Sequence, residues 1–459
     1  MPETISIPIP VPKGGEHGDI PSHELTLNEL ALCRNMLRNN QGRLVIRPGY
    51  KQLAATGPGG RVMGLTYYKT AGNVDRTVAA NRTGWAQFNG SAWVDISGTA
   101  LTGTTTDEVR FTIFPEGTPI VYNLIGCNNL DSVKLWNGAA ATYSALGGSP
   151  PVFADVTTAA NRVLGLVRPN TVRISAFNDS ATWSSTLAVI LADSGDHMIG
   201  MERISRTSVG IYGEMSQWIA RGQSGSFPFR FDLIAEFPGP ISARSIVRIG
   251  GRNYWLALDG NVYSFDGVTV RPLGYAMKRF VIDNLNYTNR AMSHGVFMSD
   301  FESIFWFFPS NTATAPDYGI YYIIRTGEMG RLLFGSGITA SSQWTSVALV
   351  SWNDLASFTW NNIAATYPTW DSFGGTARKT QALGDSAGQV HMVGFGDGSD
   401  NGVAIEAAWE FGLMTPGGWD KNFRPETFES FFRKTSNATT VGTNVGTTDT
   451  LAQDRTLTA

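Results

Sequence analysis

The sequence is poor in charged residues. Asp, Glu, Lys and Arg make up 16% of its 459 residues, against about 25% in typical soluble domains. The formal net charge is -3, so no overall basic field draws the chain to nucleic acid or to anionic lipid. Any contact with a polyanion is therefore expected to be local and to depend on a few side chains.

Cysteine is scarce as well. Cys33 and Cys127 lie far apart and form no CxxC pair, so a metal finger, a redox motif and a disulfide framework are all unsupported, and two free core thiols are predicted. The start, MPETISIPIPVPKGG, lacks the basic and apolar regions of a signal peptide, and no window approaches the roughly 18 apolar residues of a membrane span. We therefore expect a soluble protein in a reducing compartment.

Motifs that bind cofactors or carry catalysis are missing. None of the five histidines has a second ligand at metal spacing, and no G-x-S-x-G elbow or P-loop occurs. The loop from Gly394 to Gly402 offers Asp397 and Asp400, but two carboxylates fall short of the six or more oxygens that Ca²⁺ takes. The sequence predicts no catalytic residue, no cofactor and no metal, so we expect a protein that is not an enzyme.

Glycine and aromatic residues are plentiful, with 51 Gly, 25 Phe, 14 Tyr and 13 Trp. From about Arg61 to Trp344, apolar runs of five to seven residues alternate with Gly, Asn or Asp. Sixteen short strands fit this stretch, the first at Val62 and the last ending at Phe334. Such a pattern predicts an all-β meander and not βαβ units.

A weak repeat refines this prediction. Three segments place an aromatic residue directly before a turn, and the turns are Asn89-Gly90, Asn137-Gly138 and Asp266-Gly267. Asn-Gly and Asp-Gly favour two-residue type I′ hairpins, which need a positive φ at both central residues. A further hairpin is predicted at Gly250-Gly251. The first two turns are 48 residues apart, close to one propeller blade, so we predict a propeller-like body of six or seven blades. A pair of ordinary β-sandwiches is the alternative.

The ends of the chain differ from this body. We predict an extended Pro-rich arm at 1–23 that lies on another molecule, a connecting segment at 24–60, the body at 61–345, a closing blade or small β module at 346–435, and a Thr-rich tail at 436–459. The run from Ser22 to Leu37 fits either one helix or two short extended pieces. Gly42 to Tyr50 reads as a strand ended by a Pro-Gly turn.

Three stretches resemble a known family. They are Asn35-Met36-Leu37 followed by a strand and Arg47-Pro48-Gly49, then HMIGMERISRTSVGIYGEMSQWI from His197 to Ile219, and then ISARSIVRIGGRNYWLALDGNVYSFDG from Ile241 to Gly267. This pattern is similar to the tail-hub β-propeller proteins of short-tailed bacteriophages, also called nozzle or packaged-DNA stabilisation proteins. The resemblance covers roughly residues 24 to 275 and fades towards the C-terminus.

The resemblance implies a structural virion protein of a phage tail, assembled in the host cytoplasm. Such a hub forms a homo-oligomeric ring, expected to be a hexamer, contacts portal, adaptor and tail fibre or spike proteins, and helps to retain packaged DNA. Transient, non-specific contact with the genome is expected, and no membrane-spanning segment. Four arginines are candidates for the channel lining, namely Arg221, Arg230, Arg244 and Arg248.

Two other functions stay open. A receptor-binding tail protein would recognise surface sugars through exposed aromatic residues. A glycan-processing propeller would need two carboxylates that converge on a central pocket. The candidate pairs are Asp300 with Glu302 and Asp232 with Glu236, but nothing in the sequence indicates that they converge.

Overall fold

A computed structural model describes residues 14–411, except 22–23, 27, 40, 71, 73, 192–194, 275, 336, 347–377 and 395–397, together with 440–444 and 453–458. The chain divides into two compact units, Met1–Gly412 and Leu413–Ala459. In the second unit, 440–444 and 453–458 pair as antiparallel strands. Among the described helices none is long and apolar enough to cross a membrane.

In its described residues the connecting segment contains short strands and no helix. They are β1 (Leu30–Arg34), β2 (Met36–Arg38), β3 (Leu44–Ile46) and β4 (Tyr50–Gln52). Asn35 separates the first two with a left-handed φ of 55°, which Asn adopts more readily than most residues. The helical alternative for this run is therefore wrong in its described part, and the extended alternative is confirmed.

Blades 1 to 5 are antiparallel meanders of four strands that follow one another in sequence. Their strands are β5 (Gly64–Lys69), β6 (Asp75–Ala80), β7 (Trp85–Phe88), β8 (Trp93–Asp95), β9 (Arg110–Glu116), β10 (Val121–Cys127), β11 (Lys134–Trp136), β12 (Ser144–Ala145), β13 (Asp155–Ala159), β14 (Arg162–Val167), β15 (Thr171–Ile174), β16 (Ala188–Ile190), β17 (Met198–Arg203), β18 (Ser208–Gly213), β19 (Gln217–Gly222), β20 (Phe229–Ala235), β21 (Val247–Ile249), β22 (Arg252–Leu256), β23 (Val262–Phe265) and β24 (Val270–Gly274). The four-stranded unit predicted around Gly250-Gly251 is blade 5.

Blades 6 and 7 combine strands from both ends of the first unit. After α1 (Lys278–Asn284) come β25 (His294–Met298), β26 (Ser303–Phe308), β27 (Tyr318–Ile323), β28 (Met329–Leu333), β29 (Ile338–Ser346), β30 (Arg378–Asp385), β31 (Val390–Val393), β32 (Ser399–Asp400), β33 (Val403–Ala404) and β34 (Ala408–Phe411), and 3-10 turns lie at Ala243–Ser245, Arg290–Met292 and Ser299–Phe301. Blade 6 has the order β25-β26-β27-β28-β1-β34, and blade 7 has the order β29-β30-β31-β4-β32-β33. Blade 7 therefore includes strands from outside the predicted body at 61–345, because β4 precedes this range and β30 to β33 follow it.

The first strand of each blade lies innermost. These strands are β5, β9, β13, β17, β21, β25 and β29, and each contacts the next around the ring, β29 contacting β5. The first unit is therefore a β-propeller of seven blades, which confirms the predicted fold class. Apolar side chains fill the spaces between blades, and the largest of them, Trp85, Trp136, Trp255 and Trp306, are fully buried.

The three predicted turns have the expected glycine but another turn type. Gly90, Gly138 and Gly267 have φ of 105°, 78° and 91°. The residues before them, Asn89, Asn137 and Asp266, lack the positive φ that a type I′ turn requires at both positions. Each of these side chains instead accepts backbone N–H bonds from the residues two and three positions ahead. The type I′ prediction is wrong here because the Asx side chain closes a longer loop.

The hairpin at Gly250-Gly251 does match its prediction. Both glycines have a positive φ, 56° and 80°, and Ile249 pairs directly with Arg252 across the turn. Two consecutive glycines adopt this backbone without steric cost, whereas the Asn or Asp of the other turns satisfies the backbone with its side chain.

Part of the predicted arm belongs to the propeller. Glu16 is fully buried, its backbone N–H donates to the Met329 carbonyl at 2.8 Å, and its carboxylate accepts from the Cys33 N–H at 3.0 Å and from Arg331. Burial raises the pKa of Glu16 to about 7. These contacts bind residues 14–18 to this chain's own blade 6, while residues 1–13 lie outside the described residues.

Candidate functional site

The centre of the propeller holds a small cavity of about 130 Å³. Innermost strands of blades 1, 2, 6 and 7 line it, and its polar lining includes Arg110, Arg244, His294 and Ser341. A cavity of this size has room for several waters but not for a large ligand. A nucleic-acid duplex, whose major groove alone is about 12 Å wide, cannot enter this space.

An ion pair beside the cavity joins blades 2 and 3. The Arg110 Nε of β9 donates to the Asp155 Oδ1 of β13 at 2.8 Å, and Asp155 is fully buried. The other carboxylate oxygen of Asp155 accepts from the Met201 N–H of β17 at 2.7 Å. One buried carboxylate thereby fastens three consecutive blades.

Arg244, which also lines the cavity, makes further contacts between blades. Its Nε lies 3.2 Å from the Glu108 Oε2, and its guanidinium donates to the carbonyls of Met63 at 3.1 Å and Thr339 at 2.8 Å. Thr339 belongs to β29 of blade 7, and Met63 immediately precedes blade 1. Arg244 therefore links blade 7 to the start of blade 1, where the ring closes.

Burial and the ion pairs have opposite effects on the pKa values of this network. Burial favours the neutral form of each side chain, whereas the ion pairs favour the charged form. Burial raises the pKa of Glu108, while the nearby Arg244 and Arg110 charges lower it. Burial also lowers the pKa of Arg110, but the carboxylates of Asp155 and Glu202 outweigh this and raise it above its usual value. Arg110 thus keeps its charge, and the network acts as a structural cross-link of the innermost strands.

His294 is the neutral member of the lining. Burial, together with the Arg244 charge, holds the pKa of His294 well below its usual 6.5. Its Nδ1 lies 3.4 Å from the Met292 carbonyl oxygen. Its buried Nε2 has no hydrogen-bond partner among the described residues.

The four candidate channel arginines differ in their surroundings. Arg244 has a side chain only 10% exposed, lines the central cavity and donates to backbone carbonyls inside the propeller, while its buried Nε has no hydrogen-bond partner among the described residues. Arg221 and Arg230 lie on β19 and β20 of blade 4, are 40% and 71% exposed, and share Asp232 at 2.9 and 2.8 Å. Arg248 is exposed on β21.

The candidate carboxylates of a glycan-processing site are not brought together. Glu302 follows a 3-10 turn in blade 6, where its carboxylate lies 3.8 Å from Arg325. Asp232 lies in blade 4 and pairs with Arg221 and Arg230. The two candidate pairs therefore belong to different blades, and none of their residues lines the central cavity.

The remaining sequence candidates have structural surroundings. Cys33 and Cys127 are free and buried, as predicted. Asp400 pairs with the Arg47 guanidinium, which leaves its carboxylate engaged, and Asp397 lies outside the described residues. Within the described part of the chain, no three His, Cys, Asp or Glu side chains are grouped closely enough to hold a metal ion.

Sequence reasoning missed Glu108, Arg110 and Asp155. A signal was present, because Arg110 and Asp155 are each the first residue of an innermost strand. A charged residue that opens an apolar strand, in a chain with few charges, marks a candidate for a buried ion pair.

Comparison with known proteins adds no function. No protein-family model matches the sequence, and no curated protein matches it. The fold is similar to the WD40 β-propeller domain of Doa1, with a TM-score of 0.44, 8% identity, and coverage of 76% of this chain and 98% of that chain. It is also similar to the computationally designed Ika8 protein, with a TM-score of 0.40, 12% identity, and coverage of 75% and 99%. Neither likeness carries an argument about activity.

Proposed function

We propose that this chain is a non-enzymatic structural subunit of a bacteriophage tail, located in the virion as a ring at the hub or nozzle. In this role several copies surround a lumen that continues the DNA channel below the portal and adaptor. The resemblance of residues 24 to 275 to tail-hub propellers motivates the proposal.

The observation that carries it is the size of the central cavity. A space of about 130 Å³, flanked by cross-linking ion pairs, suits a rigid building block. Because no duplex fits through a single propeller, a DNA channel in this role lies between copies, which requires a ring.

The surface also suits a protein with fixed neighbours. Several large apolar side chains are exposed on the outer strands and loops of blades 3 to 5, among them Phe177 (58%), Ile190 (65%), Met215 (56%) and Val268 (69%). Interfaces between proteins are enriched in aromatic residues and methionine and depleted in charge at their centre. These positions, together with the low overall charge, are the expected sites of contact with further copies and with portal, adaptor, fibre or spike proteins.

Electron microscopy of the purified full-length chain in negative stain tests the proposal. We expect closed rings with an open lumen, and a particle mass of six times the 49.7 kDa monomer. A variant lacking residues 1–13 tests the arm, and it is expected to form fewer rings or to bind neighbours less tightly. A chain that stays monomeric at every concentration and in the presence of its neighbouring tail proteins would contradict the proposal. Hydrolysis of a surface glycan would favour the glycan-processing alternative.

A further inference from the structure

Three hairpin turns from consecutive blades pack together at one end of the propeller. They connect the first and second strands of blades 3, 4 and 5. The Ala160 N–H of the first turn donates to the Arg206 carbonyl of the second at 2.7 Å. A Cβ at Gly251 of the third turn would lie 3.9 Å from the Ile204 carbonyl oxygen. Side chains on these turns therefore form one continuous surface.

Four arginines of blades 4 and 5 lie on this surface, which we call the basic face, and they are Arg203, Arg206, Arg248 and Arg252. Arg206, Arg248 and Arg252 are exposed, and Arg203 is half-buried. Arg252 has its nearest carboxylate, Asp266, at 3.9 Å. The other three have no carboxylate within 4 Å among the described residues, although Glu202 is next to Arg203 in sequence and lies 3.9 Å from Arg110.

The arginines of the basic face repel one another. Burial lowers the pKa of Arg203, and the charges of Arg248 and Arg206 lower it further against the opposing effect of Glu202. The Glu202 carboxylate also attracts Arg248, so one carboxylate offsets part of the repulsion, and an anion that bridges the arginines would relieve more of it. The two arginines farther out in blade 4 differ, since Arg221 and Arg230 share the Asp232 carboxylate.

Hydroxyl groups accompany the charges. The blade 4 turn has the sequence Ser205-Arg206-Thr207-Ser208. The Ser205 and Ser208 hydroxyls lie 2.6 Å apart, and the Thr207 N–H donates to the Ser205 Oγ at 3.2 Å. Guanidinium groups and hydroxyls are the usual donors to phosphate oxygens in protein–DNA contacts.

We propose that the basic face binds the phosphate backbone of double-stranded DNA and is the surface that each subunit turns towards the lumen. The assignment of the lumen rests on the function proposed above, whereas the binding itself does not. A ligand with one charge about every 3.4 Å along each strand can engage arginines from neighbouring turns at once, which a single carboxylate cannot. Backbone contacts carry no sequence information, so the binding is independent of sequence and lets DNA slide.

Fluorescence anisotropy of the full-length chain with a labelled 30-base-pair duplex tests this proposal between 50 and 200 mM salt. The test variant combines Arg203→Gln, Arg206→Gln and Arg248→Gln. The matched control combines Arg43→Gln, Arg82→Gln and Arg168→Gln, three exposed arginines elsewhere that have no carboxylate within 4 Å among the described residues. Both triple variants change the net charge equally, so a difference between them reports position and not total charge.

We expect the wild type to bind at 50 mM salt and to lose binding near physiological salt. The test variant is expected to bind at least tenfold more weakly at 50 mM salt, with a salt dependence shallower by about 2 to 3 in the slope of log K against log salt. The control is expected to stay within about twofold of the wild type, because its charges lie outside the contact area.

Equal losses in both triple variants, or no loss in the test variant, would overturn the proposal. Equally tight binding of a polyglutamate peptide with the same number of charges would assign the face to an acidic protein partner instead. Electron microscopy separates the two proposals. Rings without DNA binding that depends on the basic face would support the tail function and contradict the DNA-binding proposal. DNA binding that depends on the basic face, by a chain that forms no rings, would support DNA binding and contradict the tail function.

Discussion

The Arg47 guanidinium donates a hydrogen bond of 3.1 Å to the Asn35 side-chain oxygen. This bond joins the Asn-Met-Leu motif to the Arg-Pro-Gly motif. Arg47 is 1% exposed and also donates to the Asp400 Oδ1 at 2.8 Å and to the Leu333 carbonyl at 2.8 Å. Its guanidinium lies 4.0 Å from the centre of the Phe334 ring. The Asn-Met-Leu and Arg-Pro-Gly motifs are therefore a clamp that fastens the connecting segment to blades 6 and 7.

Replacing the clamp arginine should destabilise the propeller strongly. Arg47→Met leaves the Asp400 carboxylate buried without its partner, which costs about 3 to 5 kcal/mol in the free energy of unfolding. Urea denaturation measures the change, and Arg43→Met, at an exposed arginine of the same segment, should stay within about 0.5 kcal/mol of wild type. The double variant Arg47→Met with Asp400→Leu should recover much of the loss. A single Arg47→Met variant as stable as wild type would refute the clamp.

Valine at the turn glycines should destabilise the blades to different degrees. Gly90→Val meets open space and suffers only from its positive φ, which costs about 1 to 2 kcal/mol. Gly138→Val should cost more, because its Cβ would lie 2.7 Å from the Tyr68 hydroxyl oxygen. Gly335→Val is the control, since Gly335 has open space and no left-handed φ. Thermal unfolding that ranks the three variants otherwise would contradict this account of the turns.

Two truncations at the N-terminus should differ in stability. Deleting residues 1–13 should leave the melting temperature of the isolated body nearly unchanged, because none of the described contacts of residues 14–18 is removed. Deleting residues 1–20 also removes buried Glu16 and the backbone bonds of Gly14, Glu16 and Gly18 to Asn28, Met329 and Ala276, at a cost of about 2 to 4 kcal/mol. Equal melting temperatures for both truncations would show that residues 14–18 do not stabilise blade 6.

The buried histidine predicts a pH dependence of stability. The pKa of His294 is depressed in the folded state, so stability from its neutral form is present above pH 6.5 and is lost as the pH falls below this value. The slope attributable to one proton is about 1.4 kcal/mol per pH unit. Denaturation at pH 7.5, 6.5 and 5.5 should show a shallower decline for His294→Gln than for wild type. His197→Gln, at an exposed histidine, should decline as wild type does, and the same decline for His294→Gln would disprove the assignment.

Local patterns predicted most of the strands. Runs such as Trp85 to Phe88 and Val262 to Phe265 are strands with the predicted bounds, because apolar residues between turn formers favour short buried strands wherever they lie. The glycines of the predicted turns also have the expected positive φ. The type of turn was harder to predict, since an Asx side chain competes with the backbone for the same N–H groups.

The composition and order of residues thus determined that the chain is all-β, rich in tight turns and built from repeated four-stranded units. Only the tertiary structure decided that there are seven blades, that Tyr50 pairs with Val393 to complete the last one, and that Arg244 is buried while Arg203, Arg206 and Arg248 share a face. These outcomes depend on which blade lies beside which, and residues such as Arg47 and Asp400 meet across more than 350 positions of sequence. The periodicity of a strand reports its two faces but not the neighbour that covers each one.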